Sequence, residues 1–258
     1  MLNRIVFTLI GLFFSLPALP VDISKYHLVD LSHSYGTDTL YWPTAPSRFE
    51  KTVISFGETE GGGFYSAFSI CTPEHGGTHL DAPLHFARDG LPTNEVPLDK
   101  LIAPAVVIDV TGKSATDRSY LLGVDDVHLF EDQYGRIAPG TIILLRTGWS
   151  KYWPDAKAYM GTPGELVFPS YGEDAARLLV EERKVVILGI DTASTDFGTS
   201  EEFVVHRIAA ANGVSNLENL TNLDKLPPTG ALVLALPMKI EGGSGGPARV
   251  VALVPRDP

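Results

Sequence analysis

Seven short runs of apolar and β-branched residues punctuate the chain: TVISF, YSAFSI, AVVIDV, TIILL, VVILGI, ALVLAL and RVVALV. Each has the length of a strand rather than a helix. Several lack the polar alternation of a strand with one wet face, so they read as strands covered on both sides. A chain built this way must form a sheet and must supply something to cover it. Two segments supply helix. The first begins at Ser170, whose hydroxyl can cap the opening turn while Glu173 returns the bond, and it continues through DAARLLVEERK into VVILGI. The second begins near Thr199 with Glu202 as its reciprocal cap, runs through EEFVVHRIAAA and stops at Asn212-Gly213, a left-handed terminator. The class that follows is α/β, with a mixed, β-rich sheet core. With 258 residues, 44% of them hydrophobic, and no repeat or charge block to mark a linker, the chain reads as one large domain. The GGSGG in the tail lacks the lysine and following helix of a phosphate cradle, and is expected to be a flexible connection between two strands.

Residues 1–20 stand apart. MLNR carries the only early charge, IVFTLIGLFFSL is almost wholly apolar, and PALP follows, which is the order of a secretory leader. The apolar run is about a dozen residues, short of the roughly 18 that span a bilayer, so a cleaved leader is preferred to an N-terminal membrane anchor. The folded domain is then expected over 21–258, in a periplasmic or secreted setting. Loss of Arg4 with the leader takes the net charge from -11 to -12. A surface that acidic repels phosphate backbones and anionic lipid, which disfavours nucleic acid and peripheral membrane binding. The single cysteine, Cys71, excludes an internal disulfide and reads as a small buried hydrophobe.

The stretch HGGTHLDAPLH at 75–85 gathers three of the seven histidines and an aspartate among two glycines and a proline. On a helix, His75 and His79 would share a face. However, Gly76 stands where a zinc-protease helix needs its glutamate, and Gly76, Gly77 and Pro83 all oppose helix. A glycine turn followed by an extended piece is expected instead, with His79 and Asp81 projecting to one side and His75 folded back to meet them. Two imidazoles and one carboxylate suit Zn²⁺ or Mn²⁺. Three protein ligands leave a position for water, whose pKa falls to about 7 on zinc, so that hydroxide is available at neutral pH. Beyond Pro83, His85 is expected near the ion rather than on it, as a proton donor and acceptor. No GxSxG elbow is present and the lone cysteine has no evident base, which leaves the chemistry to a metal. Asp191 and Asp196, following VVILGI, read as structural. Phe64 and Tyr65, after three glycines, are candidates to line a pocket from a mobile segment.

The pattern His-x-Gly-Thr-His-x-Asp-x-Pro-x-His, filled here by His75, Gly77, Thr78, His79, Asp81, Pro83 and His85, resembles the signature of the cyclase family of metal-dependent hydrolases. That family includes bacterial kynurenine formamidases and isatin hydrolases. The early LVDLSH, the Tyr41-Trp42-Pro43 element, RTGW at 146–149 and the closing LALPMKIEGGSGGPAR extend the resemblance over nearly the whole mature chain. It implies a swivelling β/β/α-type fold and a homodimer or larger homo-oligomer. It also implies two divalent ions, with Asp81 bridging them and His206 and Glu218 completing the second set. Trp42 matches an aromatic that packs against the substrate ring in the formamidases. Isatin hydrolases carry glutamine where Glu218 stands and use one metal, so the carboxylate inclines toward the two-ion arrangement. The implied activity is cleavage of the C–N bond of a small aromatic formamide such as N-formylkynurenine, with His85 as proton shuttle. The alternatives are hydrolysis of a cyclic amide such as isatin, or metal binding without turnover.

Overall fold

The structure, a computed structural model, describes residues 22–256, and the leader reading of residues 1–20 lies outside them. Ten principal strands are β1 (Tyr26–Asp30), β2 (Glu50–Glu58), β3 (Phe64–Cys71), β4 (His79–Asp81), β5 (Ile102–Asp109), β6 (Ile142–Arg146), β7 (Ile187–Ile190), β8 (Ser215–Glu218), β9 (Ala231–Pro237) and β10 (Gly245–Pro255). All seven β-branched runs fall on them. The parallel ladder β5-β6-β7-β8 is extended antiparallel by β4 at one end and by β9 and β10 at the other. The sheet then closes on itself, because the first residues of β10 pair with β4 while its later ones pair with β1. Closure removes the sheet edges that would otherwise need cover.

Alternate residues of every barrel strand point inward and fill it: Leu80, Ala105, Val107, Ile142, Leu144, Ile187, Leu217, Val233 and Val250 are all buried there. The outer face of β6 and β7 carries Ile143, Leu145, Leu188 and Ile190, covered by helices α1 (Val124–Tyr134), α2 (Glu173–Arg177) and α3 (Val204–Ala211). Burial on both faces explains why these strand runs show no polar alternation. The expected α/β class with a β-rich core is what the chain forms. Among the described residues, no helix is long and apolar enough to cross a membrane.

Both helices start later than their sequences suggest. Ser170 and Tyr171 pair in parallel with Leu121 and Leu122, so Ser170 is extended backbone and the helix opens at Gly172. In α3, Glu202 bonds Arg207 instead of capping, and Phe203 is left-handed at φ 47°. The orphan amides of Val205 and His206 go to the two carboxylate oxygens of Asp196, at 2.9 and 3.0 Å. Those bonds set where the helix can begin. Its end at Asn212-Gly213 is as expected, with Gly213 at φ 66°.

Among the described residues, strands β2 and β3 pair only with each other, and the hairpin stands off the barrel. Val53, Ile54, Phe56, Phe64, Tyr65 and Ile70 are each more than half exposed on it. Cys71, at its base, is exposed as well, which overturns the reading of a buried hydrophobe.

Candidate metal centre

The glycines of the 75–85 motif are fixed by what lies behind them. A Cβ on Gly76 would sit 2.1 Å from the Tyr41 ring, and Gly77 is left-handed at φ 57° with Tyr35 directly against it. The Tyr35 hydroxyl lies 2.5 and 2.8 Å from the carbonyl oxygens of Gly76 and Thr78. The Thr78 hydroxyl donates to the carbonyl of Asn219 at 2.6 Å and accepts the His33 amide. The turn is therefore rigid, and it folds His75 back over β4.

On β4, residues two apart face the same way, so His79 and Asp81 share a side. The antiparallel register puts Glu218 of β8 directly opposite His79, and α3 brings His206 in from the outer layer. Asp81 stands between them. Its Oδ1 is 2.6 Å from His75 Nδ1 and 3.2 Å from His79 Nε2, while its Oδ2 is 3.1 Å from His206 Nε2. Glu218 lies 3.1 Å from His206 Nε2 and 3.6 Å from His79 Nε2. Two sets of three donor atoms result, His75, His79 and Asp81, and Asp81, His206 and Glu218, each within 4.8 Å of one another. A tetrahedral ion with bonds of about 2.1 Å spaces its ligands about 3.4 Å apart, so the donor set fits a divalent cation. The structure thus brings together the five residues expected as ligands.

Each imidazole is oriented by a neighbour. His79 Nδ1 donates to the Gly77 carbonyl at 3.0 Å, and His206 Nδ1 donates to Asp196 at 2.6 Å, so both turn Nε2 toward Asp81. Glu218 accepts the Thr195 amide at 2.9 Å. Burial alone would pull His79 down, but the charge of Asp81, its hydrogen bond and Glu218 outweigh it and lift the imidazole to about 9. His206 is raised well above the usual range, its burial offset by bonds to Asp196, Asp81 and Glu218. Asp81 itself is held well below the carboxylate range, because the surrounding histidines overcome the cost of burying its charge.

Over this floor stands a cavity of about 400 Å³ walled by Leu40, Trp42, Pro46, Phe86, Met160 and Phe203. Trp42 meets Phe168 and Phe203 edge-on at 6.3 Å. His85 also lines it, stacked on His75 with centroids 3.8 Å apart and exposed toward the opening. Loss of solvation chiefly, with the neighbouring imidazoles adding to it against the pull of Asp81, lowers His85 to about 4. Phe64 is a correction: it packs edge-on against Phe56 on the exposed hairpin and does not line the cavity.

Two residues matter here that the sequence reading left without a role. Asp196 both caps α3 and holds His206, and a carboxylate shortly before a histidine-bearing helix is the signal that would have shown it. Asn219, left-handed at φ 55°, donates to the Gly77 carbonyl that His79 also uses, and nothing local in the sequence marks that contact.

The Cyclase family model matches residues 29–197. Over 247 residues the chain is 35% identical to an isatin hydrolase of Roseibium aggregatum, covering 90% of this chain and 93% of that one. A kynurenine formamidase of Salinibacter ruber is 30% identical over 242 residues, covering 90% and 99%. Isatin hydrolase A from Labrenzia aggregata, solved bound to benzyl benzoate, superposes with a TM-score of 0.84 at 31% identity, covering 90% of this chain and 95% of that one. With the motif, the donor cluster and these relatives in agreement, the chain belongs to the Cyclase family and is a metal-dependent hydrolase.

Proposed function

We propose that the protein opens the C–N bond of a small aromatic formamide such as N-formylkynurenine. The observation that carries this reading is Asp81, a buried carboxylate shared by two donor sets at the floor of an aromatic-walled cavity. The cavity volume of about 400 Å³ suits a substrate of one or two rings. Trp42, Phe86 and Phe203 supply the apolar surface that orients such a ring, while the polar donors all lie on one side. A divalent ion, Zn²⁺ or Mn²⁺, bound at Asp81 supplies Lewis acidity and a nucleophilic oxygen from water at neutral pH. The remaining work falls to the side chains. His75, His79 and Asp81 would hold one ion, and Asp81, His206 and Glu218 would hold a second. His85 stands beside the donors rather than among them, placed to take a proton from water and return it to the leaving nitrogen. The apolar wall limits competing water around the reacting carbonyl.

A cyclic amide such as isatin is the second reading, supported by the higher identity to isatin hydrolase, 35% against 30% to the formamidase. Glu218 favours the first, because a carboxylate there completes a second donor set. Working as a homodimer belongs to the same proposal and is supported by the exposed apolar hairpin. Assays of zinc- and manganese-loaded protein with both substrates separate the readings. Preferential turnover of the formamide supports the first and preferential turnover of isatin the second. No turnover of either by the loaded protein defeats both. Glu218→Gln is expected to lower the ion count from two toward one, and an unchanged count would argue against the shared carboxylate.

A further inference from the structure

The GGSGG loop does not behave as the flexible connection its composition suggests. Thr93 donates to the Gly243 carbonyl with its amide at 2.9 Å and its hydroxyl at 3.0 Å, and the Ala82 amide donates to the Ser244 carbonyl at 2.9 Å. The Gly242 amide donates to Asn94 at 3.0 Å. The loop is thereby pinned on both sides against the motif. Its glycines are where contact is closest: a Cβ on Gly245 would stand 2.5 Å from His75 Cε1 and 2.8 Å from the Leu80 carbonyl, and one on Gly243 would stand 2.9 Å from a carboxylate oxygen of Glu74. Between them, Ser244 places its amide 2.9 Å and its hydroxyl 2.7 Å from Glu74 Oε2. The same hydroxyl lies 2.8 Å from His75 Nε2.

A serine hydroxyl has one proton to give, and a carboxylate can only accept. The proton therefore goes to Glu74, and the Ser244 oxygen is left to accept from His75 Nε2–H. We propose that Ser244 and Glu74 are positioning residues that hold His75 in its Nε2–H tautomer, so that it offers Nδ1 to the ion, whereas His79 and His206 offer Nε2. The opposite choice follows from geometry. His79 and His206 are tied at Nδ1 by the Gly77 carbonyl and Asp196, while His75, reaching back over the turn, is tied at Nε2 and keeps Nδ1 2.6 Å from Asp81. A ligand with the wrong tautomer must shift its proton before it can bind, and partners that settle the matter in advance commonly govern metal affinity by ten- to hundredfold, roughly.

The inference rests on the reading of His75 as a ligand, and the test separates the two. Zinc affinity is measured by chelator competition on the full chain, and the imidazole nitrogens of the zinc-loaded protein are read by long-range proton–nitrogen NMR. In the unaltered protein His75 is expected to show a protonated Nε2 and a metal-shifted Nδ1. Ser244→Ala is expected to weaken zinc roughly ten- to hundredfold and to mix the His75 tautomers. Glu74→Ala should act in the same way from the other end of the chain of bonds, and Ser244→Thr, which keeps the hydroxyl, should restore both readouts. A merely structural role would lower the melting temperature and leave the nitrogen pattern alone. If the unaltered protein binds zinc through His75 Nε2, or if both alanine variants keep its affinity and nitrogen pattern, the proposal is overturned while the metal reading stands. Failure of the unaltered protein to bind zinc would remove both together.

Discussion

At Asp81, two buried carboxylate oxygens meet three imidazoles at the floor of the cavity, so protons and an ion compete for the same lone pairs. In the metal-free chain His79 is lifted from 6.5 to about 9. A histidine whose folded pKa is raised contributes stability that is fully present below its unfolded pKa and is lost as pH rises through the folded one. Thermal melting of the metal-free protein is therefore expected to fall between about pH 6.5 and 9, and zinc to abolish that fall. His206 is shifted in the same sense, whereas His33 and His85, both lowered to about 4, act below this window. A flat metal-free profile would contradict the assignment. For His85, replacement by alanine should leave the metal content intact and cut turnover roughly 10²–10⁴-fold; undiminished turnover would remove it from the chemistry and leave the protein open to a metal-binding role alone. The ligands His75, His79 and Asp81 were legible because glycine turns and the two-residue strand period are local rules. The partners Asn219 and Ser244 were not, because each comes from a segment far along the chain, and Glu74, though next to His75, acts on it only through Ser244.

Among the elements, all seven runs lie on strands; those of the central ladder were readable because burial on both faces strips them of polar positions, whereas TVISF and YSAFSI form a hairpin exposed on both faces. The helix starts were not readable. Capping patterns at Ser170 and Thr199 are short-range signals, and each lost to a longer-range one: parallel pairing with Leu121 and Leu122 in the first case, and the Asp196 carboxylate in the second. A similar clamp joins β6 and β7. Buried Asp191, just after β7, accepts the amides of Thr147, Gly148 and Trp149 and the Thr147 hydroxyl, at 2.6 to 3.2 Å. Trp149 in turn donates its indole to the carbonyl of Tyr159, whose hydroxyl reaches Asn219. Asp191→Ala would strand the buried amides of Thr147 and Trp149, the half-buried amide of Gly148 and the Thr147 hydroxyl, each buried group worth about 1–3 kcal/mol when left unpaired. It is expected to destabilise the fold by at least about 3 kcal/mol in denaturant melts, and a loss under 1 kcal/mol, roughly, would show that the clamp is dispensable.

For the whole molecule, the closed barrel hides its own edges while the β2–β3 hairpin leaves apolar side chains on both of its faces in water. A free two-stranded ribbon is at best marginally stable, and the proposed dimer would cover it with a second copy across an interface of about 800 Å² per partner. Sedimentation should show a dimer, and Phe56→Asp should dissociate it at micromolar concentration; a monomeric unaltered protein would refute the arrangement. The central claim is that one buried carboxylate organises two ion sites, and it is tested most directly by elemental analysis after equilibrium dialysis against zinc. The expected result is two ions per chain in the unaltered protein and none in Asp81→Ala; an unaltered protein that retains no zinc, or an Asp81→Ala variant that retains both ions, would contradict it.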